Sequence, residues 1–150
     1  MAVLIDADAC PVVDLAVRLA ARYDQPVTLV CDTSHWFSRF DVQVVTVDKG
    51  ADSADFALLR RVRPGDIVVT QDYGLAAMCL AKRARVLNQS GFLYTDDNID
   101  ALLAARHASA QIRRGGGRVK GPRPRCAQED RLFARAFLQL LSEGEKTDVE

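Results

Sequence analysis

The sequence has no excess of charge of either sign and no long apolar run. Twenty Lys and Arg residues balance twenty Asp and Glu residues, so no overall field draws the 150-residue chain to nucleic acid or to a membrane. No apolar run approaches the roughly 20 residues that a membrane-spanning helix needs. The N-terminus also lacks a basic segment followed by a long apolar stretch. We therefore expect no signal peptide, no membrane partner and a cytoplasmic location.

Paired cysteines are missing as well. Cys10, Cys31, Cys79 and Cys126 stand singly, without a Cys-x-x-Cys pair or a nearby His at zinc spacing, so we expect reduced and mostly buried thiols. The composition is 49% hydrophobic and 27% charged, which is typical of one soluble globular domain. A domain of this size buries roughly 70% of the surface of its unfolded chain, so its core needs neither disulfides nor a structural metal.

Short apolar runs alternate with segments of helical periodicity along residues 1–112. The apolar runs predict strands at 3–5, 27–30, 42–47, 67–69, 86–87 and 92–94. Apolar residues at helical spacing predict helices around 11–23, 52–62, 75–79 and 96–103. This order predicts an α/β fold, a three-layer α/β/α sandwich with a mostly parallel sheet.

The pattern changes after residue 112. Residues 113–126 are rich in Arg, Gly and Pro, a composition that predicts a flexible basic loop. Residues 127–142 predict an amphipathic helix packed on the same domain, and its apolar stripe from Leu132 to Leu141 must cover either the sheet or a partner, so a homodimer is possible. Residues 143–150 are polar and predict a disordered tail.

Five aspartates lie where the chain passes between predicted strands and helices. Asp6 and Asp8 follow the first strand, and Asp72 follows the fourth. Asp52 and Asp55 open the helix after the third strand. Because ligands of open parallel sheets bind beyond the carboxyl ends of the strands, we expect all five carboxylates at one edge of the sheet.

Such an acidic cluster predicts a bound cation. Two carboxylates about 4 Å apart repel by roughly 4 kcal/mol at an effective dielectric constant near 20, so the cluster needs protonation or a cation. Oxygen ligands without His or Cys favour Mg²⁺ or Mn²⁺. We therefore predict that all five aspartates bind metal and act in catalysis, as in metal-dependent nucleases. The alternative is that Asp8, Asp52 and Asp55 are helix caps and Asp72 is a turn residue.

A basic segment points to the same chemistry. From Ala101 to Gln128 there is no acidic residue and there are seven Lys or Arg residues. Flexible Arg- and Gly-rich chain can contact phosphate backbones, so we predict nucleic-acid contacts from Arg113, Arg114, Arg118, Lys120, Arg123 and Arg125. The alternative is a solvated loop that balances the acidic edge. His35-Trp36-Phe37 could stack on a base, although such a trio is more often core packing with a surface imidazole.

Three ordered motifs carry a resemblance to a known family. They are Asp6-Ala7-Asp8-Ala9-Cys10-Pro11, Gly50-Ala51-Asp52-Ser53-Ala54-Asp55 and Thr70-Gln71-Asp72-Tyr73-Gly74-Leu75-Ala76. With them, residues 1 to 141 resemble the bacterial YaiI/YqxD family. The family looks related to PIN-like domains, which are Rossmann-like α/β/α sandwiches that bind Mg²⁺ or Mn²⁺ through aspartates and often act as ribonucleases.

The resemblance implies roles for these positions and leaves other functions open. Asp6 would match the acid at the end of the first PIN strand, Asp52 or Asp55 the acid that opens the helix before the fourth strand, and Asp72 the acid that ends that strand. The Asp6-Ala-Asp8 pair is tighter than a usual PIN start. It also suits an aspartate-nucleophile phosphatase, in which Asp6 would attack phosphorus and Asp8 would protonate the leaving group. A non-catalytic RNA-binding or assembly module is the third interpretation.

Overall fold

The computed structural model describes residues 1–32, 42–49, 53–117 and 124–149. Its strands are β1 (Val3–Asp6), β2 (Val27–Asp32), β3 (Gln43–Val47), β4 (Ile67–Val69), β5 (Arg85–Leu87) and β6 (Leu93–Tyr94). Its helices are α1 (Val13–Ala21), α2 (Ser53–Arg61), α3 (Tyr73–Ala81), α4 (Asp96–Arg114) and α5 (Ala127–Val149). The predicted alternation of strands and helices is confirmed.

The strands form one sheet in the order β3-β2-β1-β4-β5-β6. β1 to β5 run parallel, and β6 is antiparallel to β5. From β1 the chain builds the sheet to one side through β2 and β3, and then to the other side through β4, β5 and β6. The carboxyl ends of β1 and β4 therefore flank the topological switch point, where open α/β sheets bind ligands.

Both faces of the sheet are apolar because alternate residues of each strand enter two separate cores. Ile5 and Leu29 pack in the core under α1 and α5. Leu4 and Val68 pack in the second core with residues of α2, α3 and α4. A sheet covered on both faces explains the continuous apolar runs in the sequence and confirms the three-layer α/β/α sandwich.

Helix α5 covers the sheet of its own chain. Phe133, Phe137 and Leu141 are fully buried. Leu132 was expected in the same stripe, but it is 45% exposed. Apart from Leu132, the stripe is therefore part of the domain core.

Two boundaries differ from those predicted. Helix α4 continues to Arg114, two residues into the predicted loop, and α5 continues to Val149 instead of ending at 142. The guanidinium of Arg85 donates a hydrogen bond to the carbonyl of Leu140 (2.7 Å) and lies 3.9 Å from the Glu143 carboxylate. These contacts join α5 to the body near Leu140 and Glu143, and the helix includes residues 143–149, for which a disordered tail is predicted from the sequence.

Within the described ranges, none of the helices combines the length and apolar character that crossing a membrane requires.

Candidate functional site

A narrow cleft lies at the switch point between the carboxyl ends of β1 and β4. Its lining residues are Asp6, Asp8, Cys10, Val69, Thr70, Gln71 and Gln89. The cleft has a volume of about 20 Å³, which is about the space that one water molecule needs. It is therefore a recess for an ion or a single small group rather than a pocket for a whole metabolite.

A buried hydroxyl joins the two strand ends at this cleft. Thr70 is 2% exposed. Its Oγ1 donates a hydrogen bond to Asp6 Oδ2 (2.9 Å) and accepts one from the backbone N–H of Asp72 (3.0 Å). Because both roles of the hydroxyl are used, Thr70 fixes the position of the Asp6 carboxylate relative to the start of α3.

The carboxylate of Asp6 has a strongly shifted pKa. The pKa of Asp6 is raised from 3.8 to about 6, mainly by burial; the hydrogen bond from Thr70 lowers it, and the charges of Asp55, Asp8 and Asp72 raise it. A partly buried carboxylate near other acids is destabilised when it ionises. A cation beside Asp6 would relieve this repulsion.

Asp72 has one oxygen in a structural role. Its Oδ1 caps α3 by accepting hydrogen bonds from the backbone N–H groups of Gly74 (2.8 Å) and Leu75 (3.2 Å). The Arg106 guanidinium lies 3.6 Å from the same oxygen. Among the described residues nothing donates a hydrogen bond to Oδ2. The turn interpretation thus explains one oxygen of Asp72 and leaves the other available to a ligand.

The remaining aspartates differ in their setting. The carboxylate of Asp8 accepts a hydrogen bond from the backbone N–H of Asp32 at 3.1 Å, which ties the end of β1 to the end of β2. Asp55 lies in the first turn of α2, and its charge reaches Asp6. Asp52 lies outside the described residues. The structure thus brings four of the five predicted aspartates near one another.

The donor chemistry at the cleft fits Mg²⁺ or Mn²⁺. Within the parts of the chain that the structure describes, no group of three or more His, Cys, Asp or Glu side chains is placed to hold a metal ion. Mg²⁺ does not need such a set, because it keeps several waters and is usually held by one or two carboxylates. Asp6 and Asp8, which line the same recess, supply that number of oxygen ligands.

A turn after β5 closes one side of the cleft. The Asn88 side chain accepts hydrogen bonds from the backbone N–H groups of Ser90 (2.8 Å) and Phe92 (2.9 Å), which fixes the turn that carries Gln89. The side-chain oxygen of Gln89 is buried and has no hydrogen-bond partner among the described residues. Leaving a buried acceptor unpaired costs roughly 1–3 kcal/mol, so this oxygen is a further group that a ligand could satisfy.

The predicted nucleic-acid-binding residues occupy different surroundings. Arg125 donates hydrogen bonds to the carbonyl of Gln89 (2.8 Å) and to Asp130 Oδ1 (2.6 Å), and lies 3.6 Å from Glu129. It therefore anchors the chain before α5. Arg113 and Arg114 are exposed at the end of α4. The other predicted positions, Arg118, Lys120 and Arg123, and the trio His35, Trp36 and Phe37 lie outside the described residues.

Three residues of this site are not predicted from the sequence. Thr70, Gln89 and Arg106 all contact or line the acidic cleft region. The position of Thr70, two residues before Asp72 at a strand end, could have indicated its role. Arg106 stood out only as one of the cations in the acid-free segment. Nothing in the sequence indicated Gln89.

The fold and the cleft define the protein as a Rossmann-like α/β/α sandwich with acidic residues at the switch point of the sheet. Residues 4–143 match the family model described as "Uncharacterized BCR, YaiI/YqxD family". The chain therefore belongs to the YaiI/YqxD family.

Its relatives cover almost the whole chain. A UPF0178 protein of Exiguobacterium sibiricum is 52% identical over 99% of this chain and 100% of its own length. One from Ruminiclostridium cellulolyticum is 50% identical over 96% of both chains. UPF0178 protein CA_C2825 of Clostridium acetobutylicum is 45% identical over 96% of this chain and 99% of its own length. No solved structure matches the chain.

Proposed function

We propose that this protein is a Mg²⁺- or Mn²⁺-dependent nuclease that hydrolyses phosphodiester bonds, with RNA as its substrate. The observation that carries the proposal is the setting of Asp6. Its carboxylate is held by a buried hydroxyl, has a pKa raised to about 6, and is repelled by the charges of three other aspartates. Helix capping does not account for this repulsion, whereas a divalent cation would relieve it.

In this proposal the aspartates of the site, Thr70 and the arginines of α4 have distinct roles. Asp6 and Asp8 hold the cation, and Thr70 keeps Asp6 in position through its hydrogen bond. When bound, the ion supplies Lewis-acid polarisation of the phosphodiester and a lowered pKa for an attacking water. Asp72 adds a negative charge near Asp6 that attracts the cation. Arg113 and Arg114 attract the phosphate backbone of the substrate from the exposed end of α4.

The test compares cleavage of single-stranded RNA and DNA oligonucleotides with Mn²⁺ and with a chelator. We expect Asp6→Asn and Asp72→Asn each to lower the Mn²⁺-stimulated rate by about 100-fold or more, because each removes a charge that holds the cation. Asn retains a side-chain oxygen for capping, so α3 should remain folded by circular dichroism. Asp100→Asn, an exposed position on α4, is the matched control and should keep the parent rate.

The proposal fails if calorimetry detects no Mn²⁺ binding and the protein cleaves neither RNA nor DNA. A non-catalytic RNA-binding module is the second candidate, and the exposed basic end of α4 favours it. It predicts RNA binding that weakens with salt and does not change with Mn²⁺ or with Asp6→Asn. An aspartate-nucleophile phosphatase would instead form a phospho-aspartate at Asp6, which a fluoride analogue would trap.

A further inference from the structure

The amino edge of the sheet carries a basic surface where the ends of α2 and α3 lie together. Residues 56–65 include three arginines, and residues 73–87 include one lysine and two arginines, but neither stretch has an acidic residue. The two stretches are in contact, because the backbone N–H of Gly65 donates a hydrogen bond to the carbonyl of Arg83 (3.0 Å). Asp66, the acid that follows the first stretch, is buried and accepts hydrogen bonds from two backbone N–H groups.

Some of these cations have structural partners and others have none. Lys82 Nζ donates a hydrogen bond to the carbonyl of Leu59 (2.6 Å), and Arg61 Nη1 donates one to a carbonyl one turn earlier in α2 (2.8 Å). Such contacts satisfy the last carbonyls of a helix. Arg63 and Arg83 are exposed, and their side chains make no hydrogen bond or ion pair with the rest of the described chain. Helix capping therefore does not account for these two arginines.

Arg83 has a backbone conformation that favours glycine. Its φ is +66°. The backbone N–H of Arg83 donates a hydrogen bond to the carbonyl of Leu80 (2.9 Å), and that of Ala84 donates one to the carbonyl of Cys79 (3.1 Å). These two bonds form the Schellman motif that ends α3, in which the position of Arg83 usually holds glycine because a β-carbon is strained there. The arginine side chain thus has a cost in stability that its contacts within the described chain do not explain.

A shallow hollow lies beside these arginines. Its lining residues are Val62, Pro64, Ala81, Lys82 and Arg83, and its volume is about 390 Å³. This volume is within the range of roughly 300–1,000 Å³ that is typical of ligand pockets. The apolar part of the lining is aliphatic, so it offers no aromatic ring on which the bases of a single-stranded nucleic acid would stack. An aliphatic hollow beside unpaired arginines is complementary to a peptide that carries both carboxylates and an apolar side chain.

We propose that this hollow binds an acidic segment of another protein. An apolar side chain of the segment lies over Val62 and Pro64, and its carboxylates pair with Arg83 and with Arg63, which stands between those two lining residues in the sequence. Charge complementarity carries the choice of partner, since an arginine guanidinium pairs with a carboxylate through two parallel hydrogen bonds. The hollow and the cleft of Asp6 lie at opposite edges of the sheet, so a partner bound here leaves that cleft open.

The test measures the binding of a short, fluorescein-labelled, glutamate-rich peptide with one central leucine to the full chain by fluorescence anisotropy. Arg83→Gly should weaken binding by about threefold to fivefold, because one charge-assisted contact is lost. The same variant should raise the midpoint of thermal unfolding by about 2 °C, because glycine relieves the strain at this position. Arg83→Lys, which keeps the charge, should bind the peptide more tightly than Arg83→Gly. Arg114→Gln, at the exposed basic end of α4, is the matched control and should leave the peptide affinity unchanged.

The opposite signs of the two effects at Arg83 separate a binding role from a structural one. A loss of stability in Arg83→Gly would show that the side chain serves the fold, and would overturn the proposal. Equal peptide affinities for the parent and Arg83→Gly, or no binding by the parent, would overturn it as well. Serine in place of the leucine should weaken binding by about threefold or more, and equal binding of the two peptides would exclude the hollow. If Arg83→Gly weakens the binding of a single-stranded RNA oligonucleotide as much as that of the peptide, the surface is a nucleic-acid site and the proposal fails. None of these measurements depends on Mn²⁺, so their failure leaves the nuclease proposal standing.

Discussion

The two edges of the sheet hold carboxylates in opposite situations. At the amino edge, Asp66 precedes β4 and is only 5% exposed. Its Oδ1 accepts a hydrogen bond from the backbone N–H of Ala2, and its Oδ2 accepts one from that of Arg63, both at 2.9 Å. The charge of Asp66 is thus shared between two fixed donors that join the starts of β1 and β4.

At the carboxyl edge, Asp6 ends β1. Among the described residues its carboxylate accepts one hydrogen bond, from Thr70, and the charges of Asp55, Asp8 and Asp72 lie nearby. Asp6 ends β1 and Asp66 precedes β4, and these two strands are neighbours in the sheet. The difference between the two aspartates shows that a carboxylate at a strand terminus is structural where backbone donors satisfy it and points to a ligand where other acids surround it.

The largest expected change in the free energy of unfolding is at the amino edge of the sheet. Asp66→Asn should lower the free energy of unfolding by about 3 kcal/mol, because the amide nitrogen would face a backbone N–H and leave it unsatisfied. Urea denaturation at pH 7 measures the change. A loss below about 1 kcal/mol would show that the hydrogen bonds of Asp66 are not what holds this edge together.

The same substitution at the carboxyl edge, Asp6→Asn, should change the free energy of unfolding in the opposite direction. The folded-state pKa of Asp6, about 6, lies above its unfolded value of 3.8. The stability that protonated Asp6 contributes is therefore present below about pH 4 and is lost as the pH rises through 6. Asp6→Asn avoids this loss, so at pH 7.5 the variant should be more stable than the parent by about 2 kcal/mol.

Two controls test whether this gain belongs to Asp6. At pH 4 the parent and Asp6→Asn should unfold at nearly the same urea concentration, because Asp6 is then protonated in the folded state. Addition of Mn²⁺ at pH 7.5 should stabilise the parent and leave Asp6→Asn unchanged. A variant that is less stable than the parent at pH 7.5 would contradict the repulsion inferred at this edge.

The sequence predicted the helices and strands far better than it predicted which side chains contact one another. Apolar runs and helical spacing located the strands and helices because these signals are local. The pattern also placed Asp6 and Asp72 at one edge, since parallel topology brings strand ends together. The backbone donors of Asp66 and the contact of Arg106 with Asp72 come from segments distant along the chain, and no periodicity encodes them. For the same reason the helical end of α5, held by Arg85, was predicted as a tail.

A smaller effect distinguishes the arginines of the two edges. Arg85 donates hydrogen bonds to the carbonyls of Leu140 (2.7 Å) and Gly65 (2.9 Å), so Arg85→Gln should lower the free energy of unfolding by about 1 kcal/mol. Arg106→Gln should change it by less than about 0.5 kcal/mol, because its ion pair is exposed. Thermal unfolding of both variants measures the difference, and equal losses would show that Arg106 is as structural as Arg85.

The smallest expected effect concerns the salt dependence of nucleic-acid binding. Arg113 lies on the same face of α4 as Arg106, whereas Arg63 is an exposed arginine at the amino edge of the sheet. The variants Arg113→Gln and Arg63→Gln therefore each remove one positive charge, from opposite edges. Each phosphate contact on a single strand contributes about 0.7 to the slope of log K against log salt. Arg113→Gln should therefore reduce the slope for an RNA oligonucleotide by about 0.7, and Arg63→Gln should leave it unchanged. Equal reductions would mean that the protein attracts RNA through its overall surface charge, whereas a reduction for Arg113→Gln alone would assign the contact to the carboxyl edge.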